Sequence, residues 1–422
     1  MHKEYYVLKM YMKLVLFSTI VIGAMTILNY KMYGEGVGLK LNLNRMGLFL
    51  ILFFECLAIL LSYPVFLKTK DTHTFIGDRY NRVKFSINKK AIHPFIFIIL
   101  VVQIIFSVKT GNGVEGHKST VSGTMVSYFF NILKISEFMP IYFIIARDKQ
   151  KKIYWINIGV WLTYEILCGW THPILKVVFL ELFLRIKENR GSFVKTIRRI
   201  ICGMNSTVTI VAVLFGAGIY RYMYSLKNLI RFGYSFMPLG FMEGLERLVS
   251  RFSSYPVTVV AVQNHKVIAD LFNEQGLWYA ESASLFRGLL PSAIMKNKSF
   301  RVMGNIVLQS IYPGLGNTTG SNYCVWVLWW NLLESDFFGF LLFLVVFILG
   351  IWVSKKIIYM FDDGSGRIEI LYFFLLLNFF SGVSVGSFEE YIGLIYFIIV
   401  MLMFRIIKVK RLDKSVTELV YK

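Results

Sequence analysis

An all-α protein that crosses a membrane about ten times is the fold class this sequence predicts, on three observations. The chain is 56% hydrophobic and only 17% charged, with a mean hydropathy of +0.58. A water-soluble chain of this length would expose too much of that apolar surface. Apolar runs long enough for membrane helices recur from Leu14 to Ile407. Between them, basic residues collect in alternate short loops, the pattern that membrane orientation produces. Backbone polar groups in hydrocarbon must pair within the chain, which favours helices. The runs are continuous rather than alternating, which argues against an outer-membrane barrel.

In chain order the predicted spans are Leu14–Asn29, Met46–Leu67, Pro94–Val108, Gly123–Ala146, Ile153–Cys168, Ile174–Leu184, Ile200–Tyr220, Phe337–Val353, Ile368–Phe380 and Tyr391–Ile407. The sixth and ninth are short, so they read as tilted or re-entrant elements as readily as full spans. Lys3, Lys9 and Lys13 before the first run resemble a signal peptide. The bulky, polar stretch Thr26–Tyr33 offers no small-residue cleavage site, so a retained first span is expected. Three parts follow: a transmembrane bundle over 1–219, a large loop over 220–335, and a second bundle with a tail over 336–422.

Charge predicts the sidedness. Seven basic residues lie in Lys68–Lys90, four in Arg147–Lys152 and six in Arg185–Arg199; the tail adds Arg405, Lys408, Lys410, Arg411, Lys414 and Lys422. The opposite short loops hold only Lys31, Lys40, Arg45, Lys109 and Lys118. Both termini are therefore expected in the cytoplasm and the 220–335 loop outside. The ten basic residues of that loop do not conflict, because long loops escape the rule. The net charge of +21 reflects orientation, and nucleic acid is not an expected partner.

Several chemistries lack their residues. The four cysteines are scattered, with no CxxC, and the six histidines form no HExxH. There is no Walker A and no GxGxxG after a strand, and the cytoplasmic loops are too short for a sugar-nucleotide domain. No cofactor or metal is expected. No internal repeat of the kind common in transporters is evident.

Ionisable residues inside the spans point to a polar cavity or to internal pairs. Glu55 lies mid-span. Lys134 and Glu137 share a helix face ahead of Pro140, which is expected to kink that helix. Glu165 sits near the outer end of the fifth span, with His172, Lys176 and Glu181 in or before the sixth. Lys176 reads either as a holder of a lipid phosphate or as the partner of Glu165 or Glu181.

The loop opens with Arg221, Tyr222, Tyr224, Lys227, Arg231, Phe232, Tyr234 and Phe236. Rings beside cations suit sugars attached to phosphate, and they suit an interfacial helix equally well. Arg247 and Arg251 are four apart, so on a helix they point the same way and could clamp a diphosphate. Glu243 and Glu246 could instead pair with them. His265, Asp270, Glu274 and Glu281 are possible proton acceptors. Arg287 and Pro291 then lead to a glycine-rich stretch, and Tyr323–Leu333 is too short to span.

With Arg251-Phe-Ser-Ser, Phe286-Arg287-Gly-Leu-Leu-Pro291, and Gly320 to Asn331 ahead of Phe338-Gly339, this layout resembles the Wzy-type polymerases of O-antigen or capsular polysaccharide repeat units. The resemblance covers nearly the whole chain and rests on topology more than on residues. Asn322 stands before Tyr323, where the family often has an acidic residue. Gly304 falls one residue beyond an Arg-x15-Gly spacing from Arg287.

The resemblance implies a GT-C-like, metal-independent glycosyltransferase in the bacterial inner membrane. Donor and acceptor would be undecaprenyl-diphosphate-linked oligosaccharides, held among membrane lipids, with a polysaccharide chain-length regulator as a partner. It implies charge stabilisation by Arg251 and Arg287, with Glu281 or His265 as base. Arg221, Arg247, Tyr234, Lys176 and Tyr323 would bind substrate. An O-antigen ligase-type transferase and a lipid-linked oligosaccharide flippase remain the alternatives.

Overall fold

A computed structural model describes residues 6–33, 39–71, 83–114, 120–121, 124–133, 135–148, 150–170, 172–188, 221–230, 235–250, 252–274, 282, 303–311, 337–361, 367–368, 370–371 and 384–411. The chain is mostly helical. Its N-terminal part contains α1 (Tyr6–Asn29), α2 (Arg45–Asp71), β1 (Val83–Ile87), α3 (Ile92–Thr110), α4 (Met125–Ile132), α5 (Ile135–Ile145), α6 (Lys152–Leu167) and α7 (His172–Glu188). The loop region contributes a helical segment at 221–230, then α8 (Phe241–Ser250), α9 (Tyr255–Gln263), α10 (His265–Glu274) and α11 (Met303–Ile311). The C-terminal part has α12 (Phe337–Tyr359), α13 (Ser384–Met403) and β2 (Ile407–Arg411).

Among the described residues three helices are long and apolar enough to cross a membrane: Tyr11–Asn29, Ile92–Thr110 and Phe337–Tyr359. Their faces are arranged inside out relative to a water-soluble helix. On α3 the exposed side is apolar until Lys109 in the last turn, with Phe97, Ile98, Val101, Val102, Ile105 and Val108. The polar residues His93, Gln103 and Ser107 are buried. A water-exposed helix carries the reverse pattern. On α12 Phe338, Val345, Ile348 and Leu349 likewise face outward. The chain is accordingly a membrane protein.

Local structure differs from the sequence reading in three places. The stretch predicted as one span from Gly123 to Ala146 is two short helices, α4 and α5. The break comes at Leu133, which caps α4, well before Pro140. Pro140 sits inside α5 and is buried. Beside its helices the chain carries one short ribbon among the described residues, in which β1 and β2 pair antiparallel, from Val83 opposite Arg411 to Ile87 opposite Ile407. β-branched and aromatic residues alternating with Lys suit a short ribbon. The sixth segment is longer than expected, since α7 spans 17 residues. The seventh predicted span and most of the ninth lie outside the described residues.

The ribbon is part of an end of the bundle rich in cations. Phe85 N–H donates to Met360 O at 2.7 Å, and Asn88 N–H to Ile406 O at 2.9 Å. Lys151 Nζ donates to Lys89 O at 3.1 Å, and Arg367 Nη1 to Arg147 O at 3.3 Å. Residues around 85–90, 147–151, 360, 367 and 406–411 therefore share one end. The charge pattern predicts the basic loops at Lys68–Lys90 and Arg147–Lys152 and the tail on one side, and residues 83–90, Arg147, Lys151 and 406–411 are together here. At the opposite end of α3, about 28 Å away by helical rise, Gly111 takes a left-handed conformation (φ 67) that closes the helix. Trp170 Nε1 donates to Gly113 O at 3.3 Å there, joining the ends of α3 and α6.

Two apolar clusters hold the bundle. The larger joins α3, α5, α6, α7 and α13 around Phe138, Tyr142, Tyr154, Trp161 and Phe397. The smaller joins α1, α2 and α9 through Ile22, Leu48, Ile51, Tyr255, Val259 and Val260. At the crossing of α5 and α13, a methyl added at Gly393 would collide with Glu137 Cβ, so glycine permits the close approach.

Candidate functional site at the loop face

The loop region is seated on the bundle by α9. Seven consecutive residues of this helix, Tyr255 through Ala261, are buried. The run is apolar apart from Thr258, so it packs on several sides at once. Three side chains join it to α2 and the α1–α2 connection. At its start Ser254 Oγ donates to Glu55 Oε1 at 2.6 Å. Tyr255 Oη donates to Leu48 O at 2.9 Å. At its end Gln263 Nε2 donates to Lys40 O at 3.2 Å, and Asn42 N–H donates back to Gln263 Oε1 at 3.2 Å. The helix thus runs antiparallel to α2. It begins beside Glu55 and ends at the α1–α2 loop.

Before α9, the helical segment 221–230 and α8 lie together. The Arg247 guanidinium sits 4.6 Å from the centroid of the Tyr224 ring, and Lys227 Nζ sits 5.8 Å from the same ring. Arg247 also donates to Tyr224 Oη and, at 3.0 Å, to Glu243 Oε1. Arg221 Nε donates to Leu239 O. The Arg221 side chain packs on Gly244, where an added Cβ would lie 2.8 Å from Arg221 Cγ. Tyr222 stacks on Phe236 at 6.3 Å between centroids. Beside this cluster Met237, Phe241 and Met242 are exposed. Cations on rings next to exposed apolar side chains can engage an anion attached to an apolar group.

The structure brings Arg221 and Arg247 to one surface. It also gives Arg247 the acidic partner foreseen as its alternative role, Glu243. This pair is partly exposed, at 28% and 46%, and is correspondingly weak. His265 opens α10 beyond the far end of α9, about 13 Å along that helix from Ser254. Its Nδ1 lies 3.2 Å from Val262 O. Lys176 is half-buried on α7 and acts electrostatically on Glu165. Of its two foreseen carboxylate neighbours, Glu181 is held by Arg147 at 2.6 Å and by Arg185 at 2.7 Å. Glu165 Oε1 accepts from Ser136 Oγ at 2.5 Å and Trp161 Nε1 at 2.8 Å. Arg251, Arg287, Glu281, Tyr234, Tyr323 and Lys134 lie outside the described residues.

A second polar group escaped the sequence reading. His93 Nδ1 and Tyr142 Oη are 2.7 Å apart. Asn157 Nδ2 donates to Tyr142 Oη at 3.0 Å and to His93 O at 2.9 Å. Its only sequence signal is a polar residue on each of three apolar helices, with no spacing to connect them. Among the described residues no group of three or more His, Cys, Asp or Glu side chains could hold a metal. No family model matches the chain, and neither a curated protein nor a solved structure matches it.

Proposed function

We propose that this chain is a glycosyltransferase of the inner membrane that joins undecaprenyl-diphosphate-linked oligosaccharide repeat units into O-antigen or capsular polysaccharide. The observation that carries the reading is the surface formed by 221–230 and α8. There Arg247 and Lys227 flank the Tyr224 ring, Arg221 lies alongside, and exposed apolar residues adjoin them. A lipid-linked phosphorylated sugar has matching parts: an anion, a ring face and a hydrocarbon chain. About ten spans, a GT-C-like architecture, cytoplasmic termini and a chain-length regulator as partner belong to the same proposal.

In the reaction a hydroxyl of the acceptor repeat unit attacks the anomeric carbon of the growing glycan. A new glycosidic C–O bond forms as the bond to the diphosphate oxygen breaks. Lipid diphosphate leaves, and a base takes the hydroxyl proton. Arg251 and Arg287 stabilise the charge that develops on the diphosphate, supported by Arg221 and Arg247. Tyr234, Lys176 and Tyr323 help hold substrate. Glu281, or His265 after it, serves as base. The donor is already activated, so neither ATP nor a sugar nucleotide is consumed.

The test is to delete the gene product in its host and run the surface glycan on a gel. A single repeat unit with the long ladder lost supports polymerisation. Unchanged glycan overturns the reading. Lipid-linked units held inside the membrane indicate a flippase, and full-length lipid-linked polymer outside indicates a ligase. Arg251→Ala and Arg287→Ala should each abolish chain extension at normal protein level. Lys at either position should restore only part, because it lacks the planar fork.

A further inference from the structure

Glu55 is fully buried on α2, yet among the described residues it forms no ion pair with Lys, Arg or His. Its Oε1 accepts from Ser254 at 2.6 Å, and Thr258 also hydrogen-bonds the carboxyl group. Its Oε2 is buried and has no hydrogen-bond partner among the described residues. A second orphan lies on α1: Thr19 Oγ1, likewise buried and without a partner there. The two belong to one level of the antiparallel α1–α2 contact. A Cβ at Gly23 would lie 2.5 Å from Leu52 Cδ1. One helical turn from each of these residues, toward the basic end, are Thr19 and Glu55–Cys56. Ile22 and Ile51, next to the orphans, pack in the same cluster as Tyr255 and Val259 of α9. Among the described residues, the titratable groups that interact with it are Cys56 and Tyr255, both acids rather than cations.

An ionised carboxylate in apolar surroundings is tolerated only when its charge is neutralised. No described side chain does this, while Ser254 and Thr258 hydrogen-bond the carboxyl group and the unpartnered Thr19 hydroxyl lies at the same level of α1. A divalent ion would leave an excess positive charge in place of the negative one, since only one carboxylate is present. We propose that Glu55, Thr19, Ser254 and Thr258 form a binding site for one monovalent cation, H⁺ or Na⁺, whose occupancy holds α9 against α1 and α2. Proton and alkali ion share the chemistry: each neutralises the carboxylate and satisfies the free oxygens. Because α9 follows α8, the site sets how firmly the loop face sits on the bundle.

The test uses the full chain in detergent micelles and reads amide exchange across α9, corrected for intrinsic rates. Choline chloride is the salt. A proton held only in the docked state protects at low pH, and that protection is lost as pH rises. Between about pH 6 and about pH 9, protection of α9 should fall about tenfold. Glu55→Gln is neutral and still accepts from Ser254, so its protection should not respond to pH. NaCl added at the upper pH then identifies the occupant: recovery in the wild type means an alkali ion also binds, and no recovery means a proton alone. Ser254→Ala, which keeps the charge but removes a donor that favours the ionised carboxylate, should move the midpoint to higher pH. Protection that is constant in the wild type, or that changes equally in Glu55→Gln and Ser254→Ala, overturns the proposal. The readout contains no glycan, so it stands or falls separately from the polymerase reading.

Discussion

The two polar regions of this molecule use arginine differently. At the basic end, Arg147 is buried and makes two hydrogen bonds to Glu181, at 2.6 and 3.1 Å, while its carbonyl accepts from Arg367. Its charge is consumed in joining α5 to α7. At the loop face, Arg247 rests on an aromatic ring with a partly exposed carboxylate as its ion-pair partner. Its planar face remains suited to exchange one partner for another. The comparison teaches that cation density alone does not mark a site. The basic end has many cations, and Arg147, Lys151 and Arg367 among them tie its segments together. The loop face has fewer, placed beside rings and apolar side chains that a lipid-linked glycan could cover.

Replacing these arginines separates the two roles, and the largest effect is expected at Arg147. Arg147→Ala leaves a mostly buried Glu181 with only Arg185 as its described ion-pair partner, and loss of such a buried pair costs about 3–5 kcal/mol. Thermal melting in micelles should show a marked fall, and a midpoint equal to wild type would remove the structural role assigned to the basic end. Next comes Gly393→Ala, where the new methyl meets Glu137 at the root of its side chain. Neither backbone yields easily, so a loss of about 1–3 kcal/mol is expected from the same measurement.

Arg247→Ala should lower stability by less than about 1 kcal/mol, since its ion pair is partly exposed. Under the proposed function it should nevertheless shorten the glycan ladder. A large melting shift with an unchanged ladder would reverse the contrast drawn between the regions. The smallest effect is expected for Gly23→Ala. Its new methyl meets the far end of Leu52, a side chain that can rotate, so the cost should fall below that of Gly393→Ala in the same melting experiment.

Much of the helix map is legible in the residues. The first, second, third, fifth and eighth apolar runs begin within a few residues of α1, α2, α3, α6 and α12, except that α1 extends further toward the N-terminus. These runs are long, predominantly apolar and bounded by charge, so length and hydropathy suffice. The break at Leu133 is not legible, because α4 and α5 are both apolar and Pro140 is the more conspicuous signal. The ribbon is hidden for a related reason. Each strand is five residues long, and they lie more than 300 positions apart.

Of the candidate site, the residue types at 221–230 and α8 are visible in the sequence, but their partners are only alternatives. Sequence leaves Lys176 between two carboxylates; in the fold it acts on Glu165, while Arg147 and Arg185 hold Glu181. In the sequence Arg147 is one more loop charge that fixes orientation, and Glu55 is a lone mid-span carboxylate. The link from Glu55 to Ser254 crosses 199 positions, and no local pattern encodes such a pairing.

By itself, the sequence determined that the chain belongs in a membrane and which loops gather the positive charge. Both follow from composition along a single helix, because transfer of side chains from water to hydrocarbon depends little on distant neighbours. Only the tertiary structure decided which buried polar groups meet, where a predicted span breaks, and that α9 packs into the bundle. Hydrogen bonds act over about 3 Å, so their partners are fixed by how helices distant in sequence come together.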